Sequence, residues 1–232
     1  MNNLRILVKF PSRGRPEQFL KVLRMMVEMS SDKENIFYLI TVDANDITMP
    51  PTIDREIDLI TSNYGMVRGE SKSKVDAINR DQYLGEWDIV LLASDDMIPQ
   101  VQGWDEVIRK GFETGGLDWP SLMTPPKKEY NLDQALWFFD GHQHRICTLV
   151  VMGRKRYERF GYLYHPSYIS LWCDNEWTEV NKPKKFDLIL FKHEHPAWGG
   201  KVPMDALYQR NEAYFERDRM NYEKRYREGF PV

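Results

Sequence analysis

The chain has 232 residues, enough for one large α/β domain that buries its own core without disulfide or metal staples. Its 32 basic and 35 acidic residues leave a formal charge of −3, which argues against a nonspecific nucleic-acid binder, a function that needs a basic stripe. Cys147 and Cys173 lie far apart with no CxxC spacing, so a disulfide scaffold and a structural zinc site are disfavoured and a reducing, cytoplasmic setting is expected. The opening MNNLRILVKF is too briefly apolar for a signal peptide, and no run reaches the ~18 apolar residues of a membrane span.

Residues 4–10 predict a first strand, closed by the loop Pro11, Ser12, Arg13, Gly14, Arg15. Pro16 suits the first position of a helix, and Phe19, Leu20, Leu23, Met26 and Val27 repeat at helical spacing. Free backbone N–H groups, a helix N-terminus and two guanidiniums then favour an anion; an ordinary loop with exposed arginines is the alternative. Residues 36–42 predict a second strand. Asp43 at its end is placed to accept hydrogen bonds from a base imide or a ribose, and Asn45 and Asp46 also suit a plain turn. A short helix is expected over residues 53–60. In residues 71–80, Ser73 and Asp76 resemble a capping box at the start of a helix running through Val75, Ile78 and Tyr83. Lys72 and Lys74 oppose that helix dipole unless an anion sits there, which points to a diphosphate; a solvated helix start explains them equally well.

Residues 89–93, Ile-Val-Leu-Leu-Ala, are too few for a buried helix and predict a strand covered on both faces, at the centre of a mostly parallel sheet. The polarity then switches to Ser94, Asp95 and Asp96, where open α/β sheets bind ligands. Adjacent carboxylates repel, and a divalent cation holding a phosphate relieves them; a turn capping the next helix is the alternative. Val107, Ile108 and Phe112 predict an amphipathic helix stopping at Gly115 and Gly116, followed by a loop over residues 120–128. Strands are expected over residues 134–139 and 146–152, with Trp137, Phe138 and Phe139 lining a cleft or the core. A helix is expected from Gly153 to near Gly161. Asp174 and Glu176, in CDNEW, sit at a helix start, where acids complement the dipole. After a strand over residues 186–191, His193 and His195 lie at i, i+2 on an extended segment and point the same way, two imidazoles suited to Mn²⁺ over Mg²⁺. Gly199, Gly200 and Lys201 suit a lid closing over a diphosphate, or a plain turn. Residues 204–226 predict one last helix whose stripe of Tyr208, Phe215, Tyr222 and Tyr226 reads as a packing or dimer surface without chemistry.

The strand at 89–93, the acidic motif, Pro99 and then Gly103, Trp104 and Asp105 together resemble the centre of GT-A glycosyltransferases, especially the family 2 type. The acidic motif of that family is written DxD; here Ser94 holds its first position. The resemblance covers roughly residues 4–205, through short motifs. It implies a single domain of GT-A fold, a Rossmann-like α/β arrangement with a central, mostly parallel sheet flanked by helices. Residues 1–100 would form the nucleotide-binding half, 101–203 the acceptor half and 204–232 a C-terminal helix. By position it implies that Asp96 is the metal ligand and that Asp95 faces the sugar or ribose. The base would pack on Pro11, Ser12 and Arg13, with Asp43 holding the nucleoside. Lys74 and Asn79 match a basic segment ending in Asn upstream of the motif. A late histidine completes the metal shell, His195 before His193. Asp174 matches the carboxylate that deprotonates the acceptor, with Glu176 in reserve.

The implied activity is transfer of a sugar from a nucleotide diphosphate sugar, a UDP-sugar foremost, to a hydroxyl of a glycan, lipid-linked glycan or small molecule. It would depend on Mn²⁺ or Mg²⁺, and inversion is the expectation of the family type. Two rivals stand beside it. One is a catalytically inactive GT-like module that binds a glycan or a partner protein, which Ser94 and the incomplete CDNE motif keep open. The other is a nucleotidyltransferase, but PSRGRP lacks the Gly-rich loop and lysine with which that class usually opens.

Overall fold

The computed structural model describes residues 3–114, 129–195 and 204–231. Its first half alternates strand and helix: β1 (Ile6–Ser12), α1 (Pro16–Met29), β2 (Ile36–Asp43), α2 (Ile53–Asp58), β3 (Tyr64–Gly69), α3 (Lys74–Arg80) and β4 (Ile89–Leu92). There follow β5 (Met97–Pro99), α4 (Trp104–Gly111), β6 (Ala135–Phe138), β7 (Val151–Gly153), α5 (Arg154–Glu158), α6 (Cys173–Asn181), β8 (Lys184–Phe186), β9 (Phe191–His193), α7 (Ala206–Glu212) and α8 (Phe215–Arg227). Seven strands form one sheet in the order β3-β2-β1-β4-β7-β6-β8. The first four are mutually parallel, β7 runs antiparallel to both its neighbours, and β8 is parallel to β6.

The period of two along β1 divides the core. Ile6, Val8 and Phe10 face α1 and α4, packing with Phe19, Leu23, Trp104 and Ile108. Leu7 faces the other way, toward Val75 and Ile78 of α3 and Trp177 of α6. Lys9 shares that second face, buried, with its Nζ donating to the Asp81 carbonyl at 2.8 Å. All four residues of β4 are buried, because β1 and β7 flank it and helices cover both faces. The chain leaves β1 toward β2 on one side and returns to β4 on the other. The crevice at this reversal lies at the carboxyl ends of both strands.

The Gly103, Trp104, Asp105 motif has a structural task. Gly103 starts α4 at φ +74°, a conformation that favours glycine. Trp104 is fully buried and donates its indole N–H to Met26, while Asp105 accepts the backbone N–H groups of Ser31 and Asp32. Together they tie α4 to the α1–β2 connection.

Several expected elements differ. The strand expected over 146–152 is regular only from Val151, although Leu92 still donates to Val150 O; Cys147 is drawn aside by the Thr178 hydroxyl. The strand expected over 186–191 is two strands in two sheets, β8 and β9. The single C-terminal helix is two, α7 and α8, broken at Ala213 and Tyr214. β3, an edge strand with little buried surface, carries no strong apolar pattern. The helix expected to stop at Gly115 and Gly116 already ends at Gly111, and residues 115–116 and the expected loop over 120–128 lie outside the described residues. Among the described residues no helix is long and apolar enough to cross a membrane.

Candidate active site

A cavity of about 480 Å³ opens at the carboxyl ends of β1, β2 and β4 and is closed from the far side by α3, α6 and α7. Pro11, Ser12, Arg13 and Asp43 line one end, brought together because β1 and β2 pair in parallel with Ser12 beside Val42. Arg13 donates to Asp43 and, at 2.8 Å, to Asn45. Ser12 Oγ and Asp43 Oδ1 are buried with no hydrogen bond among the described residues, although Arg80 lies 3.8 Å from the latter. Buried polar atoms are normally paired, so this end of the cavity has hydrogen-bonding capacity left for a ligand. Lys72 and Lys74 line the same cavity, and Ser73 caps α3 as expected by accepting from the Asp76 N–H.

Asp95 and Asp96 follow β4 into the middle of the cavity. Arg15, from the start of α1, reaches Asp95 Oδ1 at 3.1 Å, and Gln18 donates to the Asp95 carbonyl. Burial and the adjacent Asp96 charge push Asp95 up to about 6, against the pull of Arg15. Burial acts on Asp96 in the same direction, but His193, Ser94 and Tyr208 outweigh it and hold that carboxyl well below the usual range. Its contacts are His193 Nε2 at 3.3 Å, the Tyr208 hydroxyl at 2.7 Å and the Ser94 hydroxyl.

Pairing of β5 with β9 delivers His193. In that ribbon Met97 lies opposite His193, and Glu194 donates its N–H to the Asp96 carbonyl, so a residue 97 positions later is pinned beside the acidic motif. His193 Nδ1 lies 3.9 Å from the buried Asp140 carboxylate. Sequence position favours His195 as the metal histidine, but His193 is the one against Asp96. His195 packs edge-on to Tyr208 and His193, and burial next to His193 lowers it to about 4. Among the described residues no group of three or more His, Cys, Asp or Glu is arranged to hold a metal ion. One carboxylate beside one imidazole would suit Mn²⁺, which accepts both donor types, with phosphate oxygens and water in its remaining positions.

Asp174, in the first turn of α6, lines the cavity with Cys173 and Asn175. Burial raises it above the ordinary carboxylate range, opposed by the nearby Lys74 and His193 charges. Glu176 does not join it. Two residues on, it turns to the opposite side of α6, where Arg225 of α8 holds both its oxygens at 2.7 and 2.8 Å and the Tyr168 hydroxyl adds a third bond. Asn79 is likewise not in the cavity lining: its amide bridges the backbone of Leu163 and Tyr164. Trp137 and Phe138 are core residues. Lys201 lies outside the described residues.

The sequence reading missed the contribution of the C-terminal segment. Asp205 caps α7 and grips Arg15 through two bonds of 2.6 and 2.9 Å; the Arg15 guanidinium stacks 4.0 Å over the Tyr208 ring, whose hydroxyl binds Asp96. The Asp three residues before an aromatic in DALY is an N-cap signal. Nothing in the sequence alone says that this cap meets Arg15.

No protein-family model and no curated protein sequence matches the chain. Solved structures do. A mannosyltransferase, PcManGT from Pyrobaculum calidifontis, in complex with GDP-Man and Mn²⁺, is similar at a TM-score of 0.63 and 13% identity over 86% of this chain. S. aureus TarS residues 1–349 is similar at a TM-score of 0.57 and 8% identity over 82% of this chain. The chain spans 59% and 60% of those two structures. At such identities the likeness shows the fold, which is of the GT-A type: a mixed α/β domain with a central seven-stranded sheet flanked by helices.

Proposed function

We propose that the protein is a glycosyltransferase that moves a sugar from a nucleotide diphosphate sugar to an acceptor hydroxyl. One observation carries the reading: a single cavity at the switch point of a GT-A sheet is lined by Asp43 at the end of β2, Asp96 after β4 and Asp174 in α6. The unfilled hydrogen-bonding atoms Ser12 Oγ and Asp43 Oδ1 suit a ribose hydroxyl or a base N–H, with the base against Pro11 and Arg13. Lys72 and Lys74 would offset the diphosphate charge at the start of α3. Mn²⁺ or Mg²⁺ held by Asp96 and His193 would supply electrostatic stabilisation of the departing diphosphate. Asp95, paired with Arg15, would face the sugar or ribose. Asp174 accepts the proton of the acceptor hydroxyl as its oxygen bonds to the anomeric carbon and the bond to the diphosphate breaks. Its raised affinity for a proton makes it a better base than an exposed aspartate. A single displacement of this kind inverts the anomeric centre. The donor half would occupy residues 1–100 and the acceptor half residues 101–203 of one domain.

A second reading, a non-catalytic binding module, draws on one feature: Asp96 is already contacted by Ser94, Tyr208 and His193, as a purely structural acidic turn would be. Calorimetric titration of UDP-, GDP-, CDP- and dTDP-sugars with and without Mn²⁺ separates the two. The enzyme reading expects one nucleotide to bind, Mn²⁺ to tighten it, and Asp96→Ala or His193→Ala to remove the gain. A UDP-sugar is expected first. Absence of nucleotide binding under every metal condition overturns it in favour of the binding module.

A further inference from the structure

The segment leading into α6 is held more firmly than a connecting loop requires. Asp218 of α8, fully buried, accepts the backbone N–H groups of Ile169 at 3.1 Å, Ser170 at 2.7 Å and Leu171 at 2.9 Å. The Ile169 carbonyl in turn accepts from Val75 of α3. The next residue, Trp172, takes φ +62°, a left-handed conformation costly for a bulky side chain and sustained here by the clamp on one side and α6 on the other. That conformation sets the indole against Phe215, 5.6 Å away at 64°, and Tyr222, 5.3 Å away at 36°.

Ile169, Ser170, Leu171 and Trp172 line the cavity beside Asp174, with Tyr214 and Phe215 entering from the α7–α8 junction and Asn175 and Asn211 adding amides. Phe215 is 41% exposed, a large aromatic left open at the mouth. Two buried polar atoms of the clamped segment, Ser170 Oγ and Trp172 Nε1, have no hydrogen-bond partner among the described residues. Ser170 is 2% exposed, so its hydroxyl meets a ligand only by turning toward the cavity that the residue lines.

We infer that this corner is the acceptor subsite and that it takes a sugar ring, so that the acceptor hydroxyl belongs to a glycoside. This rests on the proposed role of Asp174. An aromatic wall set beside unsatisfied hydroxyl and indole groups matches a pyranose, which offers a C–H face to the rings and hydroxyls along its edge. A hydrocarbon chain would fill the aromatic wall and leave Ser170 and Trp172 unmet. Asp218 acts on the subsite from behind, as a positioning residue that fixes the backbone carrying Trp172 toward α6.

Saturation-transfer NMR on the full chain tests this, in the presence of whichever nucleoside diphosphate binds. The probes are methyl β-glucoside, methyl β-galactoside, methyl α-mannoside and N-acetylglucosamine, with octyl phosphate and a serine tripeptide as rival arms. At least one glycoside should bind with its ring C–H face saturated. Phe215→Ala, at a half-open position that leaves the core intact, should weaken it about tenfold, the scale of one aromatic contact, at unchanged nucleotide affinity. Asp218→Asn should weaken the glycoside and broaden the indole resonance of Trp172. Binding of octyl phosphate or the tripeptide in place of every glycoside overturns the inference, as does glycoside binding indifferent to Phe215→Ala, or no glycoside binding beside intact nucleotide binding. Loss of nucleotide binding in the unmodified protein would instead sink the glycosyltransferase reading on which it rests.

Discussion

Glu176 is the residue whose substitution separates chemistry from architecture most cleanly. Its side chain is 7% exposed and that of Arg225 9%, and the pair is bidentate, with Tyr168 as a third partner. Removing one member leaves the other charge buried and unpaired, a loss of about 3–5 kcal/mol. A domain of this kind has roughly 5–15 kcal/mol in total, so Glu176→Gln and Arg225→Met should each lower the urea midpoint by a large fraction while keeping a cooperative transition. The double replacement Glu176→Leu with Arg225→Met should recover much of the loss, because two apolar groups desolvate at little cost. Nucleotide affinity and the turnover of whatever protein remains folded should be close to unchanged. The refuting result is Glu176→Gln with wild-type stability and no turnover, which would make Glu176 the base and leave Asp174 as the helix-terminal acid.

On its proposed role as general base, Asp174→Asn should cut turnover about 10²- to 10⁴-fold, while the donor dissociation constant measured by calorimetry stays put. Because burial raises Asp174 above its ordinary 3.8 and the base works deprotonated, turnover in the wild type should fall as pH drops through that raised value; an acid limb at the ordinary position would argue for an exposed group. Lys9 is displaced the other way, from 10.5 to about 8, chiefly by burial. Between those pH values the unfolded chain binds the extra proton, so stability should increase as pH rises from 8 to 10.5, by up to about 3 kcal/mol. Urea midpoints across that range should show the slope, and Lys9→Met should flatten it. A Cβ at Gly153 would stand 2.3 Å from the Leu132 carbonyl oxygen, so Gly153→Ala must shift backbone and should cost about 2 kcal/mol or more, a fall of roughly 4–8 °C in a thermal melt.

The local periodicities were legible without coordinates. Pro16 and the spacing of Phe19, Leu23 and Met26 specify α1, Ser73 specifies the start of α3, and the unbroken apolar run at Ile89 specifies a strand covered on both faces. These follow from backbone stereochemistry and the periods of helix and strand, which a short window of sequence contains. So does the abrupt change from Leu92 to Asp95 and Asp96, which by itself marks the ligand end of the central strand.

Which polar groups meet across the fold is a different kind of information. His193 reaches Asp96 because β5 pairs with β9, Glu176 turns from the cavity because Arg225 approaches from α8, and Tyr208 enters the acidic centre because Asp205 docks on Arg15. Each contact joins residues from about 50 to 190 positions apart, and each partner has an ordinary local reading as a strand end, a helix-terminal acid or an amphipathic stripe. Sequence determined where carboxylates stand on their own elements. Only packing decided which of them face the cavity and which are spent on another side chain, because that depends on the direction a side chain takes once distant elements have met.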